Sequence, residues 1–117
     1  MKKYSSKSIR GKLDTLVGDY FRSRPCDKCG RKDDVQIHWS HCKSRRYLST
    51  RWSLINAFSH CASCHRFFED NPDRFIEWIE TNYPGRLEEL QRVFNITKPI
   101  KKHELEELYE ALKAGLQ

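Results

Sequence analysis

Apolar residues recur along the chain at two periods, and each change of period marks an element. Over residues 6–23, Ile9, Leu13, Leu16, Val17, Tyr20 and Phe21 fall at helical spacing, which predicts an amphipathic helix ended by Pro25. In DDVQIHWSH, Val35, Ile37, Trp39 and His41 alternate with Gln36, His38 and Ser40, a strand pattern. The stretch CKSRRYLSTRW is basic, polar and broken by serines, and reads as a loop. A short second strand is expected over residues 57–60, followed by a helix from near Cys64. Asn71-Pro72-Asp73 is a helix start, with Asn71 as N-cap and Pro72 in the first turn. Phe75, Ile76, Ile79 and Tyr83 line that helix until Pro84-Gly85. A further helix over residues 86–94 carries Leu87, Leu90, Val93 and Phe94. The last, after Pro99, carries the stripe Leu105, Leu108, Leu112 and Leu116. Residues 1–5 are polar and expected to fray. The fold class expected is α+β in one domain: an N-terminal helix (1–24), a small core (25–70) and a helical region (71–117).

Composition sharpens this picture. Hydrophobic residues make up 38% and charged residues 32% of the 117, a thin core that a bound metal would help to hold. The net charge of +6 favours a polyanionic partner, most simply nucleic acid. No apolar run approaches a membrane span, and the N-terminus lacks the apolar core of a signal peptide, so no membrane partner is expected and the reducing cytoplasm is the expected compartment. There, CxxC pairs read as metal or redox motifs before they read as disulfides.

Four of the five cysteines form two such pairs, Cys26/Cys29 and Cys61/Cys64, leaving Cys42 over. Tetrahedral zinc held by four thiolates uses two turns, each supplying a CxxC pair, and Gly30 suits the turn after Cys29. The alternatives are two exposed dithiols or a thioredoxin-type redox pair, but the latter sits in a βαβ context that this chain lacks. The zinc is expected to be structural, because four thiolates leave no open coordination position. The 31 residues between Cys29 and Cys61 leave room for a hairpin and a loop.

Inside that frame lie His38, His41, Asn56 and His65. The order His–Asn–His, with the last histidine directly behind a CxxC, resembles the HNH nuclease family and its ββα-metal fold. PCDKCG, QIHWSHCKSRRYLSTRW and NAFSHCASCHRFFEDNP further resemble the phage recombination proteins of the NinG/Rap type, most closely from Pro25 to Pro72. The resemblance implies a metal-dependent endodeoxyribonuclease acting on branched recombination intermediates, Holliday junctions and D-loops. It makes His41 the general base, His65 a ligand of a catalytic divalent metal and Asn56 a brace for the loop that orients the base. Many HNH enzymes carry an aspartate immediately before the base, where this chain has Ser40. In NinG-like sequences the position of His38 is commonly acidic, and strand alternation puts His38 on the face of Ser40, so His38 and His65 are the expected metal pair. Mg²⁺ or Mn²⁺ is the expected catalytic ion, and two imidazoles also admit Ni²⁺ or Zn²⁺. His60 and His103 lie outside the motif and read as ordinary core or surface groups.

Lys43, Arg45, Arg46 and Arg51 cluster directly after His41, where cations would hold the phosphates flanking a scissile bond. Lys2, Lys3, Lys7, Arg10 and Lys12 extend this basic character into the first helix. Cutting a four-way junction symmetrically needs two sites, so the resemblance also implies a homodimer, for which the leucine stripe of the last helix is a candidate interface. Other readings are an HNH nicking, packaging or restriction-type nuclease, a non-catalytic zinc-finger DNA-binding protein, and a zinc-stabilised protein-interaction module.

Overall fold

A two-stranded antiparallel hairpin forms the middle layer of the protein, with helices on both faces. The computed structural model describes residues 8–95 and 100–116; residues 1–5, Ser6, Lys2, Lys3, Lys7 and Pro99 of the sequence reading lie outside them. The elements are α1 (Ile9–Arg22), β1 (Ile37–His41), α2 (Leu48–Arg51), β2 (Ala57–Cys61), α3 (Ala62–Asp70), α4 (Pro72–Asn82), α5 (Arg86–Phe94) and α6 (Lys102–Gly115). The fold class is α+β, with six helices among the described residues.

The hairpin register sets everything around it. Ile37 faces Cys61, His38 faces His60, Trp39 faces Ser59, Ser40 faces Phe58 and His41 faces Ala57. Alternation puts Trp39, His41, Ala57 and Ser59 on one side, and His38, Ser40, Phe58 and His60 on the other. The first side packs on α1, where Leu13, Val17 and Phe21 form a buried core with Trp52, Ala57 and Leu105. The Ser59 hydroxyl donates to the Phe21 carbonyl at 2.6 Å, fixing the helix across the strand. Leu105 and Leu112 of α6 join this same core, so the leucine stripe is largely spent within the chain, while Leu108 stays exposed.

The second side meets an aromatic cluster. Phe58 and His60 pack with Phe68 of α3 and with Phe75 and Trp78 of α4.

Several boundaries differ from the sequence reading. The first strand opens at Ile37 rather than Val35, and α3 opens at Ala62 because Cys61 takes the extended backbone of an N-cap (φ −66°, ψ 162°). The serine-rich loop holds one helical turn, α2. Pro72 does open α4, but the Asn71 side chain does not cap it; its amide donates back to the Phe67 carbonyl at 2.8 Å and closes α3 instead. No described helix is long and apolar enough to cross a membrane.

Candidate metal centre and nucleic-acid site

Cys26 and Cys29 sit on a tight knuckle before β1. The Gly30 N–H donates to the Cys26 carbonyl at 2.8 Å, and Gly30 itself has φ +80°, a conformation that suits glycine. Asp27 docks this knuckle on the edge of β2: its N–H donates to the Ser59 carbonyl at 2.6 Å and its carboxylate accepts the Ser59 N–H at 2.8 Å. Cys61 ends β2 and Cys64 lies in the first turn of α3. The four sulfurs consequently lie within 4.8 Å of one another, a group that can hold a zinc ion. Cys29 Sγ and Cys61 Sγ are 3.7 Å apart. A zinc tetrahedron with Zn–S bonds of about 2.3 Å has edges of about 3.8 Å, so the spacing fits the ion. Burial pushes the Cys61 thiol up, but hydrogen bonding from Ser63 and the Cys64 backbone outweighs it and brings the thiol down to about 6. That favours the thiolate a metal requires. Burial and the neighbouring sulfurs push Cys64 the other way.

His38 and His65 are brought together across 27 residues of sequence. Their Nδ1 atoms are 2.8 Å apart and their rings are nearly perpendicular, at 86°. β1 supplies the first ring and the second turn of α3 the other. The Glu69 carboxylate, one turn further along α3, lies 3.8 Å from His65 Nε2. At this distance one imidazole donates its Nδ1 hydrogen to the other, and Glu69, at 3.8 Å, is near His65 without a hydrogen bond to it. Burial lowers the His65 pKa, Glu69 opposes that, and His38 adds to it.

His41 and Asn56 form a second group. Asn56 is fully buried, and its side chain ties down the connection between the strands. Its carbonyl oxygen accepts the Lys43 N–H at 2.7 Å, and its amide donates to the carbonyls of Lys43 at 3.1 Å and Thr50 at 2.9 Å. The His41 ring reaches the same connection, with Nε2 3.3 Å from the Arg51 carbonyl. Since a carbonyl only accepts, Nε2 carries the hydrogen and Nδ1 is left as the basic nitrogen. Burial drives the His41 pKa down to about 4; the Arg51 and Trp39 carbonyls oppose this, and the Arg45 and Arg51 cations reinforce it. The imidazole is therefore neutral at pH 7. No hydrogen bond links His41 to the His38–His65 pair among the described residues. Three positions along a strand separate His41 from His38 by about 10 Å and put the two on opposite faces.

The four cations after His41 have different partners. Arg51 makes a two-pronged pair with Asp14 of α1, at 3.0 Å and 2.5 Å, and Arg45 approaches the same carboxylate at 3.4 Å. Lys43 Nζ donates to Gln91 at 3.1 Å and lies over the Phe94 ring. Arg46 lies over Tyr47 and has no carboxylate partner among the described residues. Arg51 is thus chiefly an anchor for α2, and Arg46 is the most available of the four.

Two residues to which the sequence reading gave no role matter here. Asp14 also accepts the Trp52 indole N–H at 2.8 Å and organises the whole turn, yet one of two acids in a basic helix gives no sign of partners 37 residues away. His60 is fully buried with neither ring nitrogen hydrogen-bonded, a cost that the reading of it as an ordinary group did not anticipate. Counting the hairpin register from His38 would have pointed to it. Trp39 packs against the core, with its ring 4.2 Å from His41, and burial pushes the Cys42 thiol up to about 12.

No protein-family model, curated protein or solved structure matches this chain.

Proposed function

We propose that the chain is a zinc-stabilised, divalent-metal-dependent endonuclease of the HNH type that hydrolyses DNA phosphodiesters, with branched recombination intermediates as its preferred substrates. The observation that carries this reading is the 2.8 Å approach of His38 Nδ1 to His65 Nδ1 at the junction of β1 and α3, beside the four-cysteine cluster. Cys26, Cys29, Cys61 and Cys64 would hold zinc and join knuckle, strand and helix, while His38 and His65 would hold the catalytic Mg²⁺ or Mn²⁺. When bound, that ion neutralises charge on the phosphate and the leaving oxygen. His41 takes the role of base, accepting a proton from water at Nδ1 while its Nε2–H stays on the Arg51 carbonyl. Asn56 holds the loop that carries this carbonyl, which makes it a positioning residue. Arg46 and Lys43 would hold flanking phosphates. For base and metal pair to act on one phosphate, the DNA must reach both faces of β1.

A second reading, a DNA-binding zinc fold that does not cut, is favoured by the opposite-face location of His41 and His38. Incubating a synthetic four-way junction and a matching linear duplex with Mg²⁺ or Mn²⁺ separates the two. The nuclease reading requires junction cutting that His41→Ala abolishes while binding persists. Binding without cutting under every divalent ion supports the second.

A further inference from the structure

Beyond the candidate centre, α3 continues into a groove that neither the zinc cluster nor the histidines use. It lies between α3 and α4 as an open groove of about 470 Å³, within the range of ligand pockets. Its apolar wall is aromatic: Phe67, Phe68 and Trp78. Phe67 is 43% exposed, an aromatic face kept in water two residues along α3 from His65 and so on the other side of that helix. Lys28, on the zinc knuckle, lies over both phenylalanine rings at 5.4 Å and 5.8 Å and has no carboxylate partner among the described residues. Asn71 and Asn82 line the groove, each with one amide hydrogen already given to a helix carbonyl (Phe67 at 2.8 Å, Trp78 at 2.9 Å) and one left to offer. The Arg74–Glu77 pair, at 3.5 Å, is internally neutral, leaving Lys28 as the net charge.

A ring-walled slot with one unpaired cation at its mouth matches an unpaired nucleotide better than an apolar peptide. A base stacks on the aromatic face, its edge meets the amides, and its phosphate meets the ammonium. We infer that this groove binds an unpaired base of a DNA strand, giving the protein a preference for branch points over continuous duplex. The inference rests on the proposed DNA-directed function for its biological setting, but not on cleavage.

The test is fluorescence-anisotropy binding without added divalent metal, using three probes: a single strand, a duplex with one bulged 2-aminopurine, and the continuous duplex. Wild type should bind the first two more tightly than the third, with 2-aminopurine quenching. Phe67→Ala should weaken binding to the two unpaired probes about tenfold or more and leave the duplex unchanged, and Phe67→Trp should restore binding. Lys28→Gln should flatten the salt dependence on the same two probes. If Phe67→Ala binds all three like wild type, or wild type binds no unpaired probe, the groove is not a base site, whatever the protein cuts. If Phe67 governs unpaired-strand binding in a protein that cuts nothing, the groove stands and the nuclease reading falls.

Discussion

His38 Nδ1 and His65 Nδ1 lie 2.8 Å apart, joining the strand that follows one half of the cysteine cluster to the helix that completes it. A cation bound there would sit at the centre of the hairpin–helix unit, held by elements whose positions the zinc cluster fixes. Removing either ring should weaken Mn²⁺ binding, measured by calorimetry on zinc-loaded protein, by more than the roughly tenfold lower bound for losing an outer-shell partner. Glu69→Gln should have a smaller effect. Equal Mn²⁺ affinity in wild type and His65→Ala would exclude the pair as a metal site.

The cysteine cluster connects the knuckle, the end of β2 and the start of α3, and its metal-binding energy would be folding energy. Zinc analysis should find one ion per chain. Cys61→Ser should lose it together with cooperative thermal unfolding. A metal-free wild type that unfolds as cooperatively as the zinc form would show that the cluster is not structural.

Asp14 gathers Arg51, Arg45 and the Trp52 indole around one carboxylate. Asp14→Ala leaves a buried indole N–H and a half-buried guanidinium without their acceptor, so stability to urea should fall by about 2–3 kcal/mol. Arg46→Ala, by contrast, should leave stability unchanged and reduce the salt slope of DNA binding by about one. The reverse pattern would assign Arg46 to the scaffold.

His60 sits among Phe58, Phe68, Phe75 and Trp78 with both nitrogens unpartnered. Replacing it with an isosteric ring that has no polar atoms removes that burden. His60→Phe should raise unfolding stability by about 1 kcal/mol. A loss of that size would reveal a partner for the imidazole.

His41 supplies a pH dependence with a definite sign. Its folded pKa, about 4, lies below the ordinary 6.5, so the unfolded chain binds the proton more tightly. Stability is complete above pH 6.5, falls as pH drops below it, and the loss is finished near pH 4. Arg45 and Arg51 face the ring, with Asp14 behind them partly compensating their charge. Between pH 7 and pH 5, wild type should lose more stability to urea than His41→Asn does. Equal losses would mean that His41 protonates freely in the fold.

Much of this was legible in the chain. CxxC spacing carried the cysteine cluster because the ligands are local pairs, and the periodicity of Leu13, Val17 and Phe21 carried α1 because its buried face is continuous. The expectation that His38 meets His65 came from the HNH resemblance, with strand alternation only placing His38 on the face of Ser40; the rings do lie together. What stayed hidden depends on tertiary contacts. The Asp14 hub joins residues far apart in sequence. α2 forms in this loop because Asn56 and Asp14 hold its C-terminal end. The buried state of His60 depends on α4 closing over the hairpin, which no pattern within β2 announces.

The most direct test of the central claim is single-turnover cleavage of a labelled four-way junction, followed as Mn²⁺ is titrated into zinc-loaded wild type, His65→Ala and His41→Ala. The account predicts saturable cutting by wild type, a large rightward shift or loss of the Mn²⁺ response in His65→Ala, and normal Mn²⁺ binding without cutting in His41→Ala. A wild type that binds the junction and Mn²⁺ but leaves every strand intact would contradict it.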